Sequence, residues 1–226
     1  VNPSLYDKLP YDPSKSVAPV TLVSSGPNVL AVTPSVPGNT VKDLIAYAKN
    51  RAGQVSFGSA GVGSSTHLAG EMFKIMAHVN IIHVPYKGDP PAVTDLISGQ
   101  IQMLFVGGWA NIAQHVAAGK VKALAVTSTR PSALVPGLPT VASSGLPGFE
   151  SVVWNGIVVP SGTPNNIIAR LQSNVSSILK QADVRNKIMA VGFEPSGNSS
   201  AEFGEFLRSE IARWANVVKQ AGIRIN

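Results

Sequence analysis

Cysteine is absent from the 226 residues, which excludes disulfides, thiolate metal sites, iron–sulfur clusters and a cysteine nucleophile. The absence fits an oxidising compartment without requiring one. Charge is also scarce, at 13% of the chain, about half the share of an ordinary soluble domain. No apolar run approaches the ~18 residues of a membrane span, and Val1-Asn2-Pro3-Ser4 lacks the basic and apolar regions of a secretory signal. The chain therefore reads as soluble, without membrane insertion and with any export signal removed. The cations are in excess, for a net charge of +6, but they are scattered. There is no four-residue Lys/Arg cluster and no RNA-binding or zinc-finger signature, so nucleic acid is excluded as a partner and a mild preference for anions remains. None of the 12 acids falls between Leu96 and Phe149.

What is present is a core-forming composition, 44% apolar with 21 Gly and 17 Pro, in a length suited to one large or two small domains. Strand-length apolar runs alternate with helix-period segments, the grammar of an α/β fold with a parallel sheet. Thr21–Val23 and Val29–Thr33 read as two strands broken by Gly26-Pro27. Thr40 with Asp43 reads as a helix cap. Three units of strand, Gly/Ser/Pro turn and helix follow: Val55–Phe57 into Thr66–Ala77, Ile81–Val84 into Pro90–Ser98 capped by Asp89, and Ile101–Val106 into Trp109–Ala118. Val121–Thr127 and Val152–Val159 are further strands. Thr163 is expected to cap a helix from Pro164, and Ser199 with Glu202 to box a last helix running to about Ala221.

Loops leaving the carboxyl ends of parallel strands gather along one edge, where ligands bind. Three such loops are candidates. Gly58 to Thr66 (GSAGVGSST) combines glycines that permit close backbone approach with hydroxyls at a helix entrance, where free amides suit a carboxylate. Ser64 or Ser65 capping its own helix is the competing reading. Val84 to Pro90 presents the Tyr86 hydroxyl, the Lys87 ammonium and another helix start. Val106 to Trp109 offers bare amides at Gly107 and Gly108, with Trp109 as either core or stacking platform. The first loop is neither a P-loop, since Ser64 stands where Lys belongs, nor a dinucleotide fingerprint, since Thr66 stands where the third Gly belongs. His67, His78, His83 and His115 show no metal-ligand spacing, no carboxylate pair suits acid/base work, and no cofactor is implied. A helix start should keep His67 neutral. A serine-dependent hydrolase or transferase, with Ser59 or Ser64 as nucleophile and His67 as base, is the alternative to a binding protein; no third group to orient the base stands nearby in sequence.

Tyr11-Asp12-Pro13 with Ala18-Pro19-Val20, the block FGSAGVGSSTHLAGEMF from Phe57 to Phe73, VPYKG from Val84 to Gly88, and the run from Ala123 to Glu150 resemble the Bug-type receptors of tripartite tricarboxylate transporters. Trp154-Asn155-Gly156 and Pro160 to Pro164 continue the match, which spans the whole chain. The resemblance implies a two-lobed type II periplasmic binding protein fold, each lobe a largely parallel sheet flanked by helices. It also implies capture of a small carboxylate (a di- or tricarboxylate, an amino acid or an aromatic acid) by lobe closure, delivery to membrane permease subunits, a periplasmic location, a monomer and no catalysis. It places ligand contacts at Ser59, Ala60, Gly61, Ser64, Ser65 and Thr66 and at Lys87, Gly88 and Asp89; the loops themselves add Gly63, Gly107 and Gly108 as candidates, the third loop at Val106–Trp109 departing from the family's pattern. One lobe is expected over residues 28–125, the other from 1–27 with 126–226, and Val121–Thr127 at the hinge. Relatives begin with a further segment holding the first strand of the second lobe, so that lobe is expected to lack its N-terminal part.

Overall fold

The computed structural model describes residues 1–6, 8–13 and 15–224. The elements are α1 (Asn2–Leu5), β1 (Val17–Val32), α2 (Val41–Asn50), β2 (Ser56–Ser59), α3 (Ser65–Ala77), β3 (Ile82–Pro85), α4 (Asp89–Ser98), β4 (Met103–Gly107), α5 (Ala113–Ala117), β5 (Lys122–Val126), β6 (Val152–Pro160), α6 (Asn165–Leu179), α7 (Ala182–Ala190), β7 (Glu194–Pro195) and α8 (Ser200–Ala221). They fall into two compact units, Gly26–Val153, and Val1–Ser25 with Trp154–Asn226. The first unit thus runs on to Val153, beyond the boundary expected at 125. The chain passes between the units inside β1 and at the start of β6, not in Val121–Thr127. Residues 126–153 stay with the first unit because Val126 and Val141 bond each other's backbone neighbourhood, and Val126 and Val135 share a buried cluster with Val29.

In Gly26–Val153 the strand order is β3-β2-β4-β1-β5. β2 is parallel to β3 and β4, whereas β1 is antiparallel to both β4 and β5. The expected parallel sheet therefore holds one strand of opposite direction. β1 is also a single strand rather than the expected two. Its ladder to β7 ends at Ser25 and its ladders to β4 and β5 begin at Asn28 and Val29, so Pro27, which has no N–H, falls where none of these ladders calls for a donor. Helices α3 and α4 pack on β2 and β4, and Phe57, Phe73, Leu96, Leu104 and Phe105 are fully buried between them.

The capping box at α2 forms as expected: Thr40 Oγ1 accepts from the Asp43 N–H at 3.1 Å and Asp43 Oδ2 accepts from the Thr40 N–H at 3.0 Å. These bonds hold the Asp43 carboxyl below its ordinary pKa. Thr40→Ala should cost about 1 kcal/mol in urea denaturation, since it leaves a helix-end donor without its acceptor. The Trp109–Ala118 helix is instead a short 3-10 turn at Trp109–Asn111 followed by α5, the break lying at Ile112. Pro164 rather than Thr163 occupies the cap position of α6, and no side chain bonds there.

In the other unit, Trp154 and Trp214 each donate Nε1–H to Glu210 Oε2 at 3.0 Å, and Trp154 meets Phe203 and Phe206 edge to face. Glu210 is buried and also paired with Arg213. Trp154 is therefore tied into its own core. Ser199 and Glu202 box the start of α8, which ends on left-handed Gly222.

Candidate functional site

The loop from Ser59 to Ser65 joins β2 to α3, and its conformation follows from two glycines at positive φ, Gly61 at 132° and Gly63 at 78°. Much of its hydrogen-bonding capacity is used internally. Ala60 N–H donates to Thr66 Oγ1 at 2.9 Å, Gly61 N–H to Ser59 Oγ at 3.2 Å, and Gly63 N–H to His67 Nδ1 at 3.0 Å. Ser64 caps α3 by accepting the His67 N–H at 3.2 Å, while its hydroxyl donates to the Gly61 carbonyl at 2.7 Å. The expectation of a row of bare amides thus needs correcting at Ala60, Gly61, Gly63 and Ser64. Among the described residues, the amides of Val62, Ser65 and Thr66 have no protein partner, as the first turn of a helix dictates. The Ser65 hydroxyl is likewise uncommitted and half-buried, whereas Thr66 is buried.

The neighbouring turn is pinned to this loop: Tyr86 N–H donates to the Ser59 carbonyl at 3.0 Å and Gly88 N–H to the Ala60 carbonyl at 3.1 Å. This sets exposed Lys87 beside the α3 entrance. The Gly88 amide is therefore not free, and neither is the Tyr86 hydroxyl, which donates to Asp95 Oδ2 at 2.7 Å; burial and that bond push its pKa up to about 12. Asp89 is the first residue of α4 and not its cap, which is Gly88. Its Oδ2 accepts the Gly107 N–H at 3.2 Å, so Gly107 offers no bare amide either. Among the described residues the Gly108 amide has no partner, and it opens the turn at Trp109. Trp109 packs on the apolar clusters around Val29 and Ile112, the core alternative of its two readings.

Ser59 is fully buried, and its Oγ lies 2.6 Å from His83 Nε2, not against His67. His83 stacks on His67 with ring centroids 3.8 Å apart and on Phe57 at 4.9 Å. By accepting at Nδ1, His67 keeps its proton on Nε2, which faces Glu71 Oε1 at 3.8 Å. Burial, with help from Lys74, holds His67 down at about 4; burial, with His67 and Lys74, holds His83 at about 3. The neutrality expected of His67 thus comes from burial. Burial raises the Glu71 carboxyl. A buried serine beside a histidine that no carboxylate orients is not a nucleophile awaiting substrate, and Ser64 is spent as a cap. His83 carried no local motif. Only the strand register, with Phe57 opposite His83, reveals it, because side chains alternate faces and those of Phe57, Ser59 and His83 then share one. Among the described residues no group of three or more His, Cys, Asp or Glu is placed to hold a metal, and no helix is long and apolar enough to cross a membrane.

Residues 1–223 match the family model described as "Tripartite tricarboxylate transporter family receptor". The chain is 32% identical to protein BugT of Bordetella pertussis over 222 residues, which are 98% of this chain and 68% of that one. It thus spans about two thirds of the length of the curated relatives it matches. Among solved structures, Rpa4515 of R. palustris with adipate is similar at a TM-score of 0.87 and 35% identity, covering 99% of this chain and 75% of that one. The periplasmic binding protein BugD is similar at 0.83 and 32%, again over 99% and 75%. The fold is accordingly the α/β fold of periplasmic binding proteins, in a family of receptors rather than enzymes, and the chain belongs to the tripartite tricarboxylate transporter receptor family.

Proposed function

We propose that the chain is the periplasmic receptor of a tripartite transporter, that it captures a small carboxylate as a monomer, and that it delivers the acid to membrane permease subunits. The observation that carries this reading is the α3 entrance. The unpaired N–H groups of Val62, Ser65 and Thr66 and the Ser65 hydroxyl stand at the positive end of a 13-residue helix, in a loop bonded to the turn that carries Lys87, which is the donor set a carboxylate requires. The adipate-bound relative supports the same ligand class. Ala60, Gly61, Gly63, Ser64, Gly88 and Ser59 act in this reading as the frame that aims those donors. The residues 26–153 and the remainder correspond to the two receptor lobes.

The test removes both donors of Ser65, its N–H and its hydroxyl, without harming the helix. Ser65 is the first residue of α3, and Ser64 before it is already extended at φ −66°, ψ 161°, the backbone a following proline demands. Ser65→Pro therefore deletes an N–H that the helix does not use. Titration calorimetry against C4 to C6 dicarboxylates should show binding to the wild type and a loss of about tenfold or more in the variant, since one charge-assisted hydrogen bond alone is worth about that much and two donors are removed. Unchanged affinity in Ser65→Pro would remove the α3 entrance from the site.

A further inference from the structure

A second set of polar atoms is contributed by β1, α4 and β4. Asn28 is fully buried on β1, directly opposite Gly107 of β4 in the antiparallel ladder. Its orientation is fixed: Nδ2–H donates to Ser151 Oγ at 3.2 Å and approaches the Ser151 carbonyl at 3.4 Å, so the amide oxygen must point the other way. Ser151 is itself anchored, because Thr127 Oγ1 accepts the Asn28 N–H at 2.8 Å and donates to the Ser151 carbonyl. The Asn28 Oδ1 so aimed is buried and has no partner, and the same holds for Asp89 Oδ1. Both side chains converge on the place where residue 107 would carry a side chain. From a Cβ built on Gly107, Asp89 Oδ2 is 3.3 Å away, Val153 Cγ2 3.6 Å and Asn28 Oδ1 3.8 Å.

Both polar atoms among the three nearest this point, Asp89 Oδ2 and Asn28 Oδ1, are acceptors. A carboxylate and an amide oxygen cannot satisfy each other, and the only bond either receives here is the Gly107 N–H on Asp89 Oδ2. No Lys, Arg or His of the described residues is paired with Asp89, and its burial raises its pKa. A buried acid without a cation is costly unless a positive group arrives.

We propose that Asn28 and Asp89, facing the side-chain-free position of Gly107, form a subsite for an ammonium group of the ligand, so that the receptor's substrates are amino-substituted carboxylates rather than plain ones. The inference rests on the carboxylate reading above and narrows it: one ligand carboxylate at the α3 entrance, one ammonium at Asn28 and Asp89. Neutral Asn28 orients the donor and Asp89 supplies the charge. A side chain at position 107 would occupy the space.

Titration calorimetry of matched pairs tests it: succinate with L-aspartate, glutarate with L-glutamate, adipate with L-2-aminoadipate. At the preferred chain length the amino member should bind about tenfold or more tightly than its partner. Asp89→Asn should abolish that preference, bringing the two members of each pair to within about threefold of each other, since a neutral acceptor replaces the charge. Gly107→Ala, whose methyl fills the subsite, should act in the same direction, and it keeps the test decisive should Asp89→Asn fail to fold. Equal affinities within each pair, or a preference that survives both variants, overturns the inference while leaving the carboxylate reading intact. No binding of either member of any pair overturns both.

Discussion

Taking the protein from pH 7 to pH 4 should remove on the order of 3 kcal/mol of stability through His67 of the stacked His67–His83 pair, with His83 adding to the loss. Both rings have folded pKa values below the ordinary 6.5, near 4 and near 3, chiefly because burial opposes their charged forms. Below pH 6.5 the unfolded chain binds protons that the folded one refuses, so stability falls as pH falls. The contribution is complete above about 6.5 and is progressively lost down to the folded values. His67 alone, 3% exposed, accounts for the figure above, so solvent screening does little to reduce it. Glu71 works the other way. Its raised pKa lets the folded state take a proton first, offsetting part of the loss just above pH 4.5. At about 2–4 °C per kcal/mol for a chain of this size, the melting temperature should drop by roughly 6–12 °C more than in a His67→Gln/His83→Gln variant. Glutamine retains an acceptor for the Gly63 N–H and a partner for Ser59 but does not titrate. Parallel melting curves for the two proteins across that range would rule out the histidine pair as the cause.

Local grammar revealed most of Gly26–Val153. The turns of Gly, Ser and Pro between apolar runs and periodic helices are visible without any partner, and so β2, α3, β3, α4, β4 and the boxes at Thr40 and Ser199 lie close to where the sequence puts them. The errors share a physical cause, which is dependence on distant chain. Gly26-Pro27 falls in the gap between the β7 ladder and the β4 and β5 ladders of one continuous strand, which only those distant partners reveal. The unit boundary moves from 125 to 153 because the segment after β5 returns to bond Val126 and Thr127. At the site, composition identified the Gly/Ser loop but not which amides stay open, since that depends on where Thr66 Oγ1, Ser59 Oγ and His67 Nδ1 point. His83 and Asn28 are legible only through register, the pairings of 57 with 83 and 28 with 107.

Gly70→Ala should destabilise the protein by about 2 kcal/mol even though helix propensity alone predicts a gain of about 1 kcal/mol. Gly70 sits inside α3 where the helix meets β2, and a Cβ built there would lie 2.1 Å from Phe57 Cε2 and 2.4 Å from Phe57 Cδ2. The ring has nowhere to go. Phe57 is fully buried and stacked on His83, which in turn is stacked on His67 and bonded to Ser59. Relief therefore requires either α3 to lift from the sheet or the ring to press on His83, and both displace the frame that aims the Ser65 and Thr66 amides. Packing outweighs propensity here because the interior is close-packed and the obstacle is a ring held on both sides. A double-mutant cycle separates the two effects. Phe57→Leu alone opens space and costs stability, but in the Gly70→Ala background it should restore part of what the methyl removed, giving a favourable coupling of about 1 kcal/mol or more. Strict additivity of the two substitutions in urea denaturation, or a Gly70→Ala variant as stable as the wild type, would mean that α3 yields at this point and that the loop it carries is less rigidly aimed than the packing of Phe57 requires.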